Sequence, residues 1–253
     1  MKFDWEKIEN DYKIKLWKKV GEAIGKFEMI EKGDKIGIGV SGGKDSLVLA
    51  VALKRLQNIA PINFSLKAYI VNPGIDDFEK KGDKLFTYLE ELGIELKIVN
   101  SNILEIVFED KKVKNPCFLC SRLRRGILYR ELKKDGMNVL ALGHHMEDHV
   151  ETFLLNLFFS GSTRPMPPCY YSGKHKLKII RPLALVKESD ILDFQEEFKL
   201  PVVNFACLLE KDVVLQRKEI KKLLNGIEER YPEVKNSIFW ASQKLESKKR
   251  RKR

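Results

Sequence analysis

The chain has 253 residues, enough for one or two domains with a well-buried core. Hydrophobic residues make up 43% and charged residues 33%, a balance that excludes a disordered chain. No apolar run approaches the ~18 residues of a membrane-spanning helix, so no membrane partner is expected. The formal charge is +11, but Lys248 to Arg253 are all Lys or Arg and supply more than half of it. The opening Met1-Lys-Phe-Asp-Trp-Glu-Lys lacks the apolar core of a secretion signal, and a cytoplasmic location is expected. Four cysteines in that compartment point to metal binding, catalysis or burial rather than to disulfides.

Taken in chain order, Trp5, Ile8, Tyr12, Leu16, Val20, Ile24 and Phe27 recur at steps of three or four and predict one amphipathic helix over 5–30, ended by Gly33-Asp34. This helix is expected as an appendage, 1–34, on the surface of the main domain. From residue 35 strands and helices alternate. Apolar runs at 36–40, 66–71, 94–99 and 139–142 predict strands, with helices at 44–59, 78–92 and 121–135 between them. This β-α-β order implies an α/β fold, with right-handed crossovers and a parallel sheet covered on both faces. Ligands then sit at the carboxyl ends of the strands. Residues 160–182, rich in Gly, Pro and Ser, predict a loop with one short strand at 177–180, and helices follow near 187–199 and 212–230. The main domain is set at 35–200, a helical extension at 201–242, and a disordered basic tail at 243–253.

The first strand runs into Gly39-Val40-Ser41-Gly42-Gly43-Lys44-Asp45-Ser46 and then directly into a helix. Backbone N–H groups in such a turn can approach phosphates, and the helix dipole adds attraction. Gly37, Gly39 and Gly42 formally satisfy G-x-G-x-x-G, but no acid follows ~20 residues on, at the end of the second strand. A Walker A loop fails too, because Lys44 is followed by Asp45 rather than Ser or Thr. Ser41 to Ser46 instead fits, at every fixed position, the Ser-Gly-Gly-x-Asp-Ser loop of the N-type ATP pyrophosphatases. That resemblance implies a Rossmann-like fold of the adenine nucleotide alpha hydrolase type. It also implies adenylation: a substrate oxygen attacks the α-phosphate of ATP and pyrophosphate leaves. Lys44 would supply charge to the leaving group, and Asp45 would position Mg²⁺ or the loop.

Cys117-Phe-Leu-Cys120 follows the third strand and opens a helix, whose positive end favours thiolates. On its own this spacing fits half a zinc site, a redox pair or two iron–sulfur ligands. Only the isolated Cys169 and Cys207 remain to complete a metal site. His144, His145 and His149 invite a metal reading, but His-x-Glu-x-His is not the zincin spacing. Their place after the fourth strand favours contact with nucleotide or substrate.

Several segments then occur together: Ser41 to Ser46, Cys117-x-x-Cys-Ser-Arg-Leu-Arg-Arg-Gly-Ile-Leu-Tyr-Arg130, Gly143-His-His-x-x-Asp148, Glu151-Thr-Phe-Leu-Leu-Asn-Leu-Phe, Met166-Pro-Pro and Ile180-Arg-Pro-Leu. In this order they resemble the tRNA 2-thiocytidine synthetase family over about 35–224. The resemblance implies adenylation of the C2 carbonyl of an anticodon-loop cytidine, at position 32, and replacement of the oxygen by sulfur. It implies a [4Fe–4S] cluster on Cys117, Cys120 and, by position, Cys207. Lys44, Asp45 and Asp148 become the catalytic candidates. ATP contacts are expected at Gly39 to Ser46, Val71, Gly143 and His144. The expected partners are tRNA, a sulfur donor (a cysteine desulfurase or free sulfide) and a second copy in a homodimer. This sequence departs from the family at Met146-Glu147 and in having the single Cys207 where a second C-x-x-C is usual. Related alternatives are adenylation of another tRNA base, for 2-thiouridine or lysidine, or of a small molecule. A non-catalytic iron–sulfur or zinc RNA-binding protein is the alternative from another class. Arg122, Arg124 and Arg125 after the cysteines, and Lys218, Lys221 and Lys222 on a later helix beside Lys211 and Arg217, are candidates for RNA phosphates.

Overall fold

The computed structural model describes residues 5–109, 116–205 and 213–250. Its centre is a six-stranded sheet of order β3-β2-β1-β4-β6-β5. The strands are β1 (Lys35–Val40), β2 (Ser65–Asn72), β3 (Glu95–Asn100), β4 (Val139–Ala141), β5 (Cys169–Ser172) and β6 (Leu177–Ile180). All neighbours pair in parallel except the edge hairpin β5–β6. The helices are α1 (Trp5–Asp11), α2 (Lys19–Lys26), α3 (Lys44–Ile59), α4 (Phe78–Glu91), α5 (Ile103–Glu109), α6 (Pro116–Lys134), α7 (Met146–Ser160), α8 (Glu188–Glu197), α9 (Val213–Glu228) and α10 (Val234–Arg250). The doubly covered parallel sheet expected from the alternation is therefore present.

Side-chain alternation along the strands separates the two layers. Ile36, Ile38, Ala68, Ile70, Val139, Ala141 and Ile180 face the larger core, which also receives α3, α4, α7 and α8. Tyr69, Leu140, Leu177 and Ile179 face the other side, with Leu128 and Leu132 of α6. On that side β1 offers, after the exposed Lys35 at its start, Gly37 and Gly39. A Cβ on Gly37 would overlap the Leu132 side chain, and one on Gly39 would lie 3.4 Å from Leu128. The glycines let α6 lie close against the central strand. The end of α6 is fixed by an ionic network: Asp135 accepts from Tyr69 Oη at 2.8 Å and Lys97 Nζ at 2.8 Å, and Glu131 pairs with Lys97 at 3.2 Å. The bond from Lys97 above all, then that from Tyr69, holds the Asp135 carboxyl down at about 2.

Three expectations are corrected. The first helix is broken into α1, a π-helical turn at Lys13–Lys18 and α2, and it ends at Lys26, before Gly33. Its apolar face joins the main core through Ile8, Tyr12, Leu16, Trp17, Val20 and Ala23. The π-turn adds a residue that brings both Leu16 and Trp17 inward. Second, the loop at 160–182 holds a second strand, β5, whose backbone pairs Cys169 with Ile180. Third, the tail does not begin at 243. Helix α10 continues to Arg250, since Lys, Gln, Glu and Arg are good helix formers and Phe239 and Ser242 anchor it in the interior.

Candidate active site

The carboxyl ends of β1, β4 and β6 converge on the turn from β1 into α3. Gly42 there has φ +89, and a Cβ would lie 2.6 Å from the Val203 carbonyl. Only glycine allows this approach, and the Val203 N–H donates to the Gly42 carbonyl at 3.0 Å. Hydroxyls brace the turn: Ser46 Oγ donates to the Gly43 carbonyl at 2.8 Å and accepts from the Ser41 N–H at 3.2 Å. Gly143, after β4, packs on the opening of α3, where a Cβ would lie 2.8 Å from the Asp45 carbonyl oxygen.

A cavity of about 290 Å³ opens beside this turn, lined by Lys44, Asp45, His145, Asp148, Glu151, Glu188, Arg217, Lys218 and Lys221. Four elements build it. Lys44 and Asp45 come from the first turn of α3, His145 to Glu151 from the start of α7, Glu188 from the first residue of α8, and the cations from α9. Glu188 bridges two lysines, Lys44 at 3.3 Å and Lys221 at 2.6 Å. Arg217 forms ion pairs with Asp148 and, at 2.6 Å, with Glu151. Asp148 also accepts from the His145 N–H at 3.0 Å, closing the first turn of α7. Glu147, also buried, accepts from the Glu188 N–H at 2.9 Å and pairs with His145 Nδ1 at 3.1 Å, joining α7 to α8.

These contacts set the charge states. Burial opposes the charge of Lys44, but Asp45 and Glu188 overcome it and hold the ammonium above its usual range. Burial likewise opposes the His145 imidazolium, and Glu147, Asp148 and Asp45 outweigh it, raising its pKa. His144 goes the other way: burial, and then the charge of Arg181, push it down to about 4. Arg181 Nε donates to His144 Nδ1 at 3.3 Å, and its terminal nitrogen donates to the Pro167 carbonyl at 2.6 Å. His149 is a core residue: it is fully buried, its Nδ1 lies 2.8 Å from the Met166 carbonyl, and its ring packs edge-on against Phe239.

Among the catalytic candidates, Lys44, Asp45 and Asp148 share the cavity. Val71 is set apart: its side chain is buried on the α6 side with Val99, Ile103 and Cys120. Cys117 and Cys120 both lie in the first turn of α6. Cys120 is 6% exposed, in an apolar setting that suits a soft thiolate ligand for iron. Cys207 and Lys211 lie outside the described residues. Among the described residues no group of three or more His, Cys, Asp or Glu side chains is placed to hold a metal ion. Arg122 and Arg125 are exposed, whereas Arg124 is half-buried with its Nε enclosed. Lys218 and Lys221 line the cavity, and Lys222 is exposed. Glu188 escaped sequence reasoning altogether, and the pairing of Arg217 with Asp148 spans 69 residues without a local pattern to announce it.

A doubly covered sheet whose first crossover turn is a Ser-Gly-Gly-Lys-Asp-Ser anion cradle defines a PP-loop protein, and the PP-loop domain family matches residues 13–205. The tRNA-cytidine(32) 2-sulfurtransferases of Salmonella paratyphi B and Salmonella typhimurium are each 42% identical to the chain over 237 residues, covering 93% of it and 75% of theirs. The chain belongs to the tRNA-cytidine(32) 2-sulfurtransferase family. Among solved structures, the U34-tRNA thiolase of Methanococcus maripaludis, with its [4Fe–4S] cluster, is similar with a TM-score of 0.73 and 28% identity, over 90% of this chain and 77% of that one. No helix among the described residues is long and apolar enough to cross a membrane.

Proposed function

We propose that this chain forms 2-thiocytidine at position 32 of tRNA in an ATP-dependent reaction. The carrying observation is the Ser41–Ser46 cradle, which opens α3 with Lys44 in a cavity walled by Arg217 and Lys221. In the first half-reaction the cytidine C2 carbonyl oxygen attacks the α-phosphorus of ATP, and the bond to pyrophosphate breaks. The backbone N–H groups of the turn and Lys44 stabilise the charge that grows on the leaving group. Lys221 and Arg217 face the same anion from the opposite wall. Asp45 Oδ1 is buried beside Lys44 with no aligned donor, and such an oxygen suits Mg²⁺. His145 holds Asp148 and Glu147 in place, and burial, aided by Arg181, keeps His144 neutral, so the carboxyl end of β4 presents a fixed imidazole.

In the second half-reaction sulfur bonds to C2 and AMP leaves with the original oxygen. Cys117, Cys120 and Cys207 would hold a [4Fe–4S] cluster, which would supply sulfur at the sulfide level. The sulfur donor is proposed to be free sulfide, or a cysteine desulfurase whose persulfide sulfur is released as hydrosulfide by two electrons from a thiol reductant; the working form is proposed to be a homodimer, and the location the cytoplasm, where tRNA is found.

The test is mass spectrometry of tRNA nucleosides from a strain lacking the gene, with pyrophosphate release by the purified protein alongside. Loss of 2-thiocytidine, restored by the wild-type chain and not by Lys44→Ala or Asp45→Ala, is the expected result. Both variants should keep their iron, because the loop and the cysteines follow different strands. Unchanged 2-thiocytidine refutes the proposal. Loss of 2-thiouridine instead would assign the chain the base named for the Methanococcus thiolase.

A further inference from the structure

In the nucleotide cavity Lys44, Arg217 and Lys221 are each paired with carboxylates of this chain. The exposed face of α6 differs. Phe118, Arg122 and Arg125 stand at i, i+4 and i+7 on this helix, one stripe of its surface. Phe118 is 60% exposed, and both arginines are exposed. Neither arginine has a carboxylate partner among the described residues, and Arg125 Nε donates back to the Ser121 carbonyl at 3.3 Å, which draws its guanidinium toward the start of the helix. Cys120, on the far side of the same turn of the helix, is buried.

The stripe lies at the reactive edge of the sheet. Cys120 packs with Val71 and Val99, at the carboxyl ends of β2 and β3. In register, Val40 pairs with Ile70, so Ser41 of the phosphate turn and Val71 stand at the same edge on neighbouring strands. Phe118 itself falls between the two cysteines. An aromatic ring this exposed, beside two guanidinium groups that lack carboxylate partners among the described residues, has the chemistry of a surface for single-stranded nucleic acid. Ring faces stack on bases, and arginines hold the flanking phosphates. A protein partner would leave two arginines needing acidic groups, whereas an RNA loop supplies anions at every nucleotide.

We propose that Phe118, with Arg122 and Arg125, is the platform on which an unpaired base of the tRNA anticodon loop stacks when the target cytidine is delivered to the cysteine-bearing turn. This rests on the thiolation reading above and adds to it the place where the loop docks.

The test uses anaerobically purified holoprotein and an unmodified anticodon stem-loop, with binding followed by fluorescence anisotropy. Phe118→Leu keeps an apolar side chain without a ring face, and Phe118→Trp keeps the ring. Phe118→Leu is expected to weaken binding by about five- to a hundredfold, with wild-type iron content and pyrophosphate turnover restored at saturating RNA, and Phe118→Trp to bind as wild type. Replacing both arginines with alanine should lower the slope of log affinity against log salt by ~0.7 for each phosphate that is no longer neutralised. Wild-type affinity in Phe118→Leu overturns the platform, as does loss of iron in that variant, which would make Phe118 a support for the cysteines. A wild-type protein that thiolates tRNA while Phe118→Leu binds normally refutes the platform alone. A wild-type protein that neither binds nor thiolates the RNA refutes the function beneath it.

Discussion

Gly143→Ala probes how tightly the phosphate turn is seated. The added methyl would lie 2.8 Å from the Asp45 carbonyl oxygen, 2.9 Å from its carbon and 3.0 Å from Ser46 N. All three are backbone atoms in the first turn of α3, so no flexible side chain can yield. Reaching an ordinary contact of 3.4 Å from 2.8 Å needs a displacement of about 0.6 Å, at the point that carries Lys44 and Asp45. Overpacking of this kind costs about 1–3 kcal/mol, which for a chain of this size lowers the melting temperature by roughly 2–10 °C. The reaction should suffer more, because misplacing a reacting group by ~1 Å can cost ~100-fold. The expected result is a folded, iron-loaded protein whose tRNA-dependent pyrophosphate release falls at least tenfold at saturating ATP. Gly126→Ala is the control: nothing lies within 4 Å of its added methyl, on a helix that alanine favours. Normal turnover in Gly143→Ala, together with a normal melting temperature, would refute the seating argument.

Three further outcomes are expected. Cys117→Ala, Cys120→Ala and Cys207→Ala should each lose most of the iron and all thiolation while Cys169→Ala keeps both; metal loss in Cys169→Ala as well would point to a four-thiolate structural site. His149, pushed down to about 3 by burial and the charge of Arg181, stays neutral in the fold while the unfolded chain takes a proton below ~6.5. Its stabilising contribution is therefore full above pH 6.5 and is lost as pH falls toward 3, by about 2 kcal/mol between pH 6.5 and 5; His149→Asn should be less stable at pH 7.5 yet show a shallower acid decline, and parallel declines would contradict this. Deleting 248–253 should flatten the salt dependence of tRNA binding and spare turnover at saturating tRNA, and an unchanged slope would make those six cations bystanders.

Local patterns in the chain were readable where local physics decides the structure. Ser41 to Ser46 gave the anion cradle because glycines, a lysine and a helix start are contiguous. The four parallel strands were legible as apolar runs between helical periods. What escaped was non-local. The partnership of Arg217 with Asp148 and Glu151, and of Glu188 with Lys44 and Lys221, joins helices far apart in the chain, so the α9 cations read only as a basic face. Strand β5, Cys169–Ser172, is four residues long and owes its extension to pairing with β6. The N-terminal helix was legible as amphipathic. Its partner on α8 was not, because Tyr12 and Trp17 meet Phe194, far along the chain, edge-on at 4.9 and 5.7 Å.

The bare side of β1, where Gly37 and Gly39 stand, seats the C-terminal half of α6. Asp135 and Glu131 clamp that end to Tyr69 and Lys97, Leu132 and Leu128 rest on the two glycines, and the N-terminal half, with the cysteine turn, packs through Leu119, Cys120, Leu123 and Ile127 on Val71, Val99 and Ile103. Because a helix turns about 100° and advances ~1.5 Å per residue, one residue inserted between Leu128 and Glu131 would swing Cys120 away from Val71 and Val99 while leaving the phosphate turn untouched. The length of this beam is therefore constrained, but the composition of its exposed upper side is not. Exchanging side chains there, as the proposed platform would require for a different RNA loop, leaves the contacts that seat the phosphate turn in place.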